Sequence, residues 1–322
     1  MQRFLYFLLV LFVLVTTGCE AQSPPELVNA LMGKDPQGPL LIEGKATEER
    51  KVTFTFDKLI FAEKAAFKVA QVGNAIESLL PLDNTLILTL EQALRPGERT
   101  LIEGRVRDAS GNTLSFQSNI WGYNAHLPRL LLNEFTTKGS GNNPDRVELL
   151  ALSDGNLAGL TLYDGVADEC DSAVILPPFN VIEGDYIVVQ YTQELSGKHP
   201  IEFYGGEVGL GSNNGLITLY DSPGGSLLDV VVYSNRTSDS DTNYAGWGTS
   251  KVFKRVKALE SSGKWLPLPL KPEGAVKSAD STATRSFCRW EKQDTDTKDD
   301  WYIVPTGKAS FGSPNTTEIY NP

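Results

Sequence analysis

From about residue 40 the chain alternates apolar and polar side chains in short runs. Val52-Thr53-Phe54-Thr55-Phe56 and Thr85-Leu86-Ile87-Leu88-Thr89-Leu90 show it most clearly. A period of two places every second side chain on one face, which is the signature of a half-buried strand. Similar segments run from Leu40 to Glu43, Ala66 to Val72, Thr100 to Val106 and Thr113 to Ile120. Pro96-Gly97 and Ser110-Gly111-Asn112 punctuate them as turns. A second series covers Leu130 to Phe135, Arg146 to Leu152, Gly159 to Tyr163, Tyr186 to Tyr191, Gly215 to Tyr220 and Leu227 to Tyr233. Short strands at such spacing predict an all-β chain of two immunoglobulin-like β-sandwiches in tandem.

The N-terminus departs from this pattern. Arg3 precedes an unbroken apolar run from Phe4 to Val15, then Thr16, Thr17, Gly18 and Cys19. A run of about 12 residues suits a signal peptide and falls short of the roughly 18 to 20 needed for a permanent span. Small residues before a cysteine resemble the lipobox of bacterial lipoproteins, although Thr16 stands where that family prefers Leu. The resemblance implies a signal peptide over 1–18, lipidation of Cys19 and a palmitate-type acyl anchor. Ordinary secretion with cleavage after Ala21 is the alternative. Residues 19–38, rich in Pro, Gly, Gln and Ser, read as a flexible tether.

The order of blocks in the rest of the chain carries two further resemblances. Val52-Thr-Phe-Thr-Phe-Asp57, Leu94-Arg-Pro-Gly97 and Asp108-Ala-Ser-Gly-Asn112 resemble a bacterial immunoglobulin-like domain over 39–125. Leu131-Leu-Asn-Glu-Phe135, Asp145-Arg-Val-Glu-Leu149, Leu157-Ala-Gly-Leu-Thr-Leu-Tyr-Asp-Gly165 and Gly215-Leu-Ile-Thr-Leu-Tyr-Asp221 resemble the lamin-tail domain. That likeness spans 126–318 and implies a second sandwich, with an insertion around 235–283. Lamin-tail families imply protein or nucleic-acid contacts, and their bacterial versions accompany polymer-handling enzymes.

Charge narrows these options. A formal net charge of −11 argues against nucleic acid, whose affinity comes from neutralising phosphates with Lys and Arg. Lys251-Val-Phe-Lys254-Arg255-Val-Lys257 is the local exception, and its loose alternation predicts a strand with a solvated basic face. In an oxidising compartment Cys170 and Cys288 form a disulfide or remain two isolated thiols.

Candidate chemistry is sparse. The two histidines, His126 and His199, follow no nucleophile-elbow motif. No paired Cys or His suits zinc, and no glycine-rich loop opens a nucleotide site. Structural calcium is the one cofactor the acidic loops suggest. The candidate ligands are Asp164 with Asp168 and Asp171, Asp239 with Asp241, and Asp294 with Asp296. Trp247, between glycines in Tyr244-Ala-Gly-Trp-Gly248, is the candidate aromatic ligand contact. These readings converge on a noncatalytic binding or scaffolding lipoprotein of the cell envelope, held to the outer membrane or cell surface by its lipid. The expected partner is an envelope or extracellular protein or a polysaccharide. The alternative is a metal-dependent hydrolase, phosphodiesterase- or nuclease-like, using the acidic loops.

Overall fold

The computed structural model describes residues 37–235 and 242–322. The Cys19 lipidation site, the signal peptide and most of the tether lie outside the described residues, as do Asp239 and Asp241. The chain is all-β with a single α-helix among the described residues. No described helix is long and apolar enough to cross a membrane.

Contacts divide the chain into two units. The first comprises residues up to Lys45, Lys51–Gln92 and Leu101–Ile120, and the second comprises Ala46–Arg50, Ala93–Thr100 and Trp121–Pro322. The strands of the first region are β1 (Leu41–Glu48), β2 (Lys51–Phe56), β3 (Phe61–Ala62), β4 (Lys68–Val69), β5 (Ile76–Leu82), β6 (Thr85–Leu90), β7 (Arg99–Arg107) and β8 (Thr113–Trp121). One sheet has the order β1-β2-β6-β5, and the other joins β3, β4 and β8 to β7. Alternation in β2 and β6 is realised in full. Every second residue of each is buried, and the register sets Phe54 opposite Leu86 and Val52 opposite Leu88. Phe116 meets Phe54, Phe56 and Phe67 edge-on, with centroids 5.1, 5.8 and 6.1 Å away. After β7, Asp108 closes the turn by accepting from both the backbone N and the side-chain amide of Asn112, each at 2.9 Å. Gly111 supplies the positive φ of 89° that the reversal needs.

The second unit holds β9 (Leu130–Thr136), β10 (Asp145–Ala151), β11 (Gly155–Asn156), β12 (Thr161–Val166), β13 (Glu169–Ile175), β14 (Asn180–Val181), β15 (Tyr186–Tyr191), β16 (Glu202–Tyr204), β17 (Gly215–Tyr220) and β18 (Leu227–Ser234). They are followed by α1 (Ser250–Glu260), β19 (Val276–Lys277), β20 (Phe287–Arg289) and β21 (Trp301–Ile303). A six-stranded sheet runs β16-β15-β10-β9-β20-β21, and a five-stranded sheet runs β13-β12-β17-β18-β19. Leu132, Val147, Leu149, Ile187 and Val189 of the first sheet share one buried cluster with Leu162, Leu216, Val230 and Val232 of the second. Burial of that size is the main favourable term of a sandwich.

The stretch 235–283 differs from its expected character. Lys251–Lys257 is part of α1, not a strand. Val252, Arg255, Val256 and Leu259 are buried at helical spacing, while Lys251, Lys254 and Lys257 stay exposed. The Thr249 side chain caps the helix by accepting from the Val252 backbone N at 3.2 Å. The alternation was too short to fix a period, and Leu259 is the residue that completes the apolar stripe. Val252, Val256, Leu259, Trp265 and Leu270 all join the sandwich core, so the described part of the stretch packs into the sandwich.

Candidate functional site

The outer face of the six-stranded sheet carries the unusual chemistry. Such a face ordinarily meets water, yet every residue of β9 and all but Arg146 of β10 are buried. One row across the sheet reads Val188, Glu148, Glu134, Cys288 and Tyr302, each opposite the next in register. Residues 304–320 lie against this row. Ser310 donates its backbone N to Glu134 Oε1 at 3.0 Å and its hydroxyl to Oε2 at 2.9 Å, and Ser286 Oγ also donates to Glu134. Gly312 N donates to Glu148 Oε2, while Asn133 Nδ2 donates to Glu148 Oε1 at 2.7 Å. The Tyr302 hydroxyl donates to the Thr316 carbonyl.

Two carboxyls face each other beneath that cover. Burial raises both, and the Glu134 charge pushes Glu148 further, well above the usual range. Glu134, with more donors aimed at it, is the better place for a negative charge, and Glu148 is the harder of the two to ionise.

The adjacent row, Thr136, Arg146 and Gln190, ends in a groove of about 480 Å³. Its walls are the tight turn at Gly141–Pro144 and the loop Thr192–His199. Ser140 and Asn143 exchange backbone bonds of 2.7 and 2.8 Å, which holds the turn. The loop is wound about one carboxylate. Glu202 accepts from Ser196 Oγ at 2.6 Å and from the backbone N of Gly197, Lys198 and His199 at 2.8, 3.0 and 2.9 Å. These donors hold its pKa below the ordinary value despite some burial. His199 Nε2 lies 3.8 Å from the same carboxylate. Burial lowers the imidazole's pKa, so the ring is neutral at pH 7. Because Ser196 Oγ bonds to Glu202 and not to the ring, the three do not form a nucleophile relay.

On the groove floor the Arg146 guanidinium lies over Phe311, with Cζ 4.9 Å from the ring centroid. Nη2 reaches Asn143 Oδ1 at 3.4 Å, and Nε is buried without a hydrogen-bond partner. Among the described residues no carboxylate comes within ion-pair distance of it. Gln190, 1 % exposed, donates to Ser196 Oγ at 3.0 Å.

The residues singled out from sequence fall elsewhere. Cys170 is an exposed thiol on β13 and Cys288 a buried one on β20, and both are free. Of the two alternatives this is the pair of isolated thiols, because the two residues belong to opposite sheets, Cys288 being enclosed by Ser310 and Tyr302 on the outer face. On native protein, alkylation followed by peptide mass mapping labels Cys170 well before Cys288, and denaturation without reductant exposes Cys288. A species that labels at neither cysteine until reduced would overturn this.

Three of the calcium candidates lie against protein cations. Asp171 pairs with Lys251 at 2.6 Å and Arg255 at 3.0 Å. Asp164 is buried beside Arg255, and Asp294 accepts from Arg289 at 3.0 Å. Asp168 is exposed, and Asp296 is half-buried in the loop after β20. No group of three or more His, Cys, Asp or Glu among the described residues is placed to hold a metal. Trp247 is 1 % exposed and packed in the sandwich core. Its flanking glycines, with φ of 88° and 77°, let the chain turn and insert the ring.

Burial pushes Asp164 and Asp229 up to about 6, against the pull of Arg255 and Arg289 respectively. A carboxyl raised in the folded state binds protons there before the unfolded chain does, so stability increases as pH falls through that window. Glu202, lowered, works in the other direction and loses its contribution below about pH 4.5. His199, lowered by burial, opposes the two aspartates over the same window as one group against two, so thermal unfolding gives a higher Tm near pH 5.5 than at pH 7.5. A steady fall in Tm over that interval would contradict the assignment.

Residues 128–200 and 204–303 match the family model described as TP_1001_2nd, protein second domain, which is more than half of the chain. The chain belongs to that family. The TP_1001_2nd match takes in Arg146, Gln190, His199 and Arg289, while Glu202 falls between the matched segments. A Treponema pallidum (strain Nichols) protein described as uncharacterized is 22% identical over 245 residues, 68% of this chain and 61% of that protein. The chain thus spans less than two thirds of that relative's length. Among solved structures, the N-terminal part of the bacterial S-layer protein SbsC is 12% identical with a TM-score of 0.27, covering 62% of this chain and 44% of that one. Dimeric latent PorU from Porphyromonas gingivalis is 13% identical with a TM-score of 0.20, covering 64% and 21%. Scores of that size establish no common fold.

Proposed function

We propose that this protein is a noncatalytic binding module of the cell envelope, anchored through a lipid on Cys19 and engaging its partner with the second sandwich. The observation that carries the binding role is the polar groove between Gly141–Pro144 and Thr192–His199, lined by the Arg146 cation, which no carboxylate among the described residues pairs. Concave sites with a few convergent polar groups are where ligands are held. The resemblance to lipoprotein leaders supports the anchor, and the lamin-tail resemblance supports a role in contacts between macromolecules.

The test combines detergent-phase partitioning of the full chain, wild type against Cys19→Ala, with crosslinking capture from intact cells. Wild type entering the detergent phase and Cys19→Ala remaining aqueous supports the anchor, and a variant that still partitions refutes it. Hydrolytic turnover abolished by EDTA would replace the binding reading with that of a metal-dependent hydrolase.

A further inference from the structure

We propose that the groove binds an acidic sugar, with the Arg146 guanidinium receiving the ligand's carboxylate and the surrounding amides and hydroxyls receiving its ring hydroxyls. This deepens the binding-module reading and rests on it.

The argument begins with the cation. Arg146 stands on β10, a rigid inner strand of the six-stranded sheet, between Thr136 and Gln190 in register. Its Cζ sits 4.9 Å from the centroid of the Phe311 ring, a cation–π contact that restrains the guanidinium at the groove. A guanidinium fixed in that way offers paired N–H donors matched to the two oxygens of a carboxylate. Glu134 and Glu202 act on it through space without ion-pair contact, because Glu202 is enclosed by Ser196 and three backbone N–H groups and Glu134 by Ser286 and Ser310, while Glu194 lines the groove as an exposed carboxylate. Among the described residues only the weak contact to Asn143 Oδ1 engages the guanidinium's donors.

The lining decides the rest of the ligand. Asn142, Asn143, Thr192 and Gln193 present amides and a hydroxyl able to donate and accept, beside the exposed charges of Glu194 and Lys198, while Gln190 and Ser196 are engaged with each other and with Glu202 beneath them; Leu195 is the one large aliphatic side chain among the lining residues. A lipid or an apolar peptide side chain would find little surface to bury there. A ring bearing several hydroxyls matches alternating donors and acceptors. The volume of about 480 Å³ falls within the range of about 300–1,000 Å³ usual for small-ligand sites. General attraction of anions is excluded by the net charge of −11, so recognition of a carboxylate has to be local.

Titration calorimetry on the full chain with D-galacturonate, D-galactose and acetate separates the contributions. Saturable binding of galacturonate is expected, with galactose and acetate each at least about tenfold weaker because each lacks one half of the match. Arg146→Gln is expected to weaken galacturonate at least tenfold, and Arg146→Lys to lose more than half of the affinity, since an ammonium keeps the charge without the planar fork. Should either variant fail to fold, wild-type protein is treated with phenylglyoxal and mapped by mass spectrometry, where galacturonate but not galactose protects Arg146. No saturable galacturonate binding, equal binding of galactose, an unchanged affinity in a folded Arg146→Gln, or no protection of Arg146 would each overturn the proposal. Detergent partitioning and partner capture are read separately, so the sugar assignment can fail while the anchored-module reading stands.

Discussion

Arg289→Met lowers the unfolding free energy by about 3–5 kcal/mol, the range for removing one partner of a buried ion pair. Arg289 is 1 % exposed and ties the two sheets of the second unit together. Its Nη2 donates to Asp229 on β18 at 2.8 Å, and its Nε donates to the Leu132 carbonyl on β9 at 2.6 Å. Its Nη1 donates to Asp294 and the Gln293 carbonyl, and the guanidinium sits over Trp301 at 4.7 Å. Methionine refills much of the volume but strands the enclosed Asp229 carboxyl, which must stay charged without its cation or take up a proton, with Leu132 N and Val230 N as its remaining donors. Adding Asp229→Asn therefore recovers part of the loss, because the stranded carboxyl is the larger share of it. Denaturant unfolding of the two single variants and the double variant measures this. A loss below about 1 kcal/mol in Arg289→Met would show that the pair is not what couples the sheets.

Trp247→Ala is the second large effect, about 3–5 kcal/mol, from lost burial and the cavity left behind. For a unit of this size that lowers Tm by roughly 6–20 °C. Trp247→Phe, which keeps an aromatic in the same space, loses much less. Galacturonate affinity per folded molecule stays at the wild-type value in both variants, because the ring belongs to the core and not to the groove. A stable Trp247→Ala with altered sugar affinity would return this residue to the role of ligand contact.

The all-β character was legible because strand alternation is a local signal. Thr53 and Thr55 point out where Phe54 and Phe56 point in, and no distant residue is needed to see it. α1 was not legible because the charged side chains at 251, 255 and 257 all fall on a period of two over a window too short to separate it from a helical period. The groove was hidden for a different reason. Arg146 and Glu148 stand two apart in a strand whose alternation implies a wet outer face. Only the return of residues 304–320 across that face makes one carboxyl buried and leaves the guanidinium at its margin. A signal was present in Asn133-Glu134 and Glu148, polar residues inside otherwise apolar segments. Sequence alone could not say that Ser310 and Gly312 would supply the matching donors. Arg255 and Arg289 raise the same difficulty, since their anionic partners come from distant strands.

The place of β20 beside β9 has a consequence for how the molecule is made. Ser286 and its partner Glu134 are 152 positions apart in the chain, and β20 and β21 finish a sheet that β9 and β10 begin. A nascent polypeptide leaving the ribosome must carry Phe135 without Phe287, the ring that stacks on it at 4.5 Å, until nearly all of it has been synthesised. Such long-range closure is slow and open to aggregation. The first unit, whose strands are close neighbours, can settle early, whereas the second cannot complete its six-stranded sheet until its last strands exist.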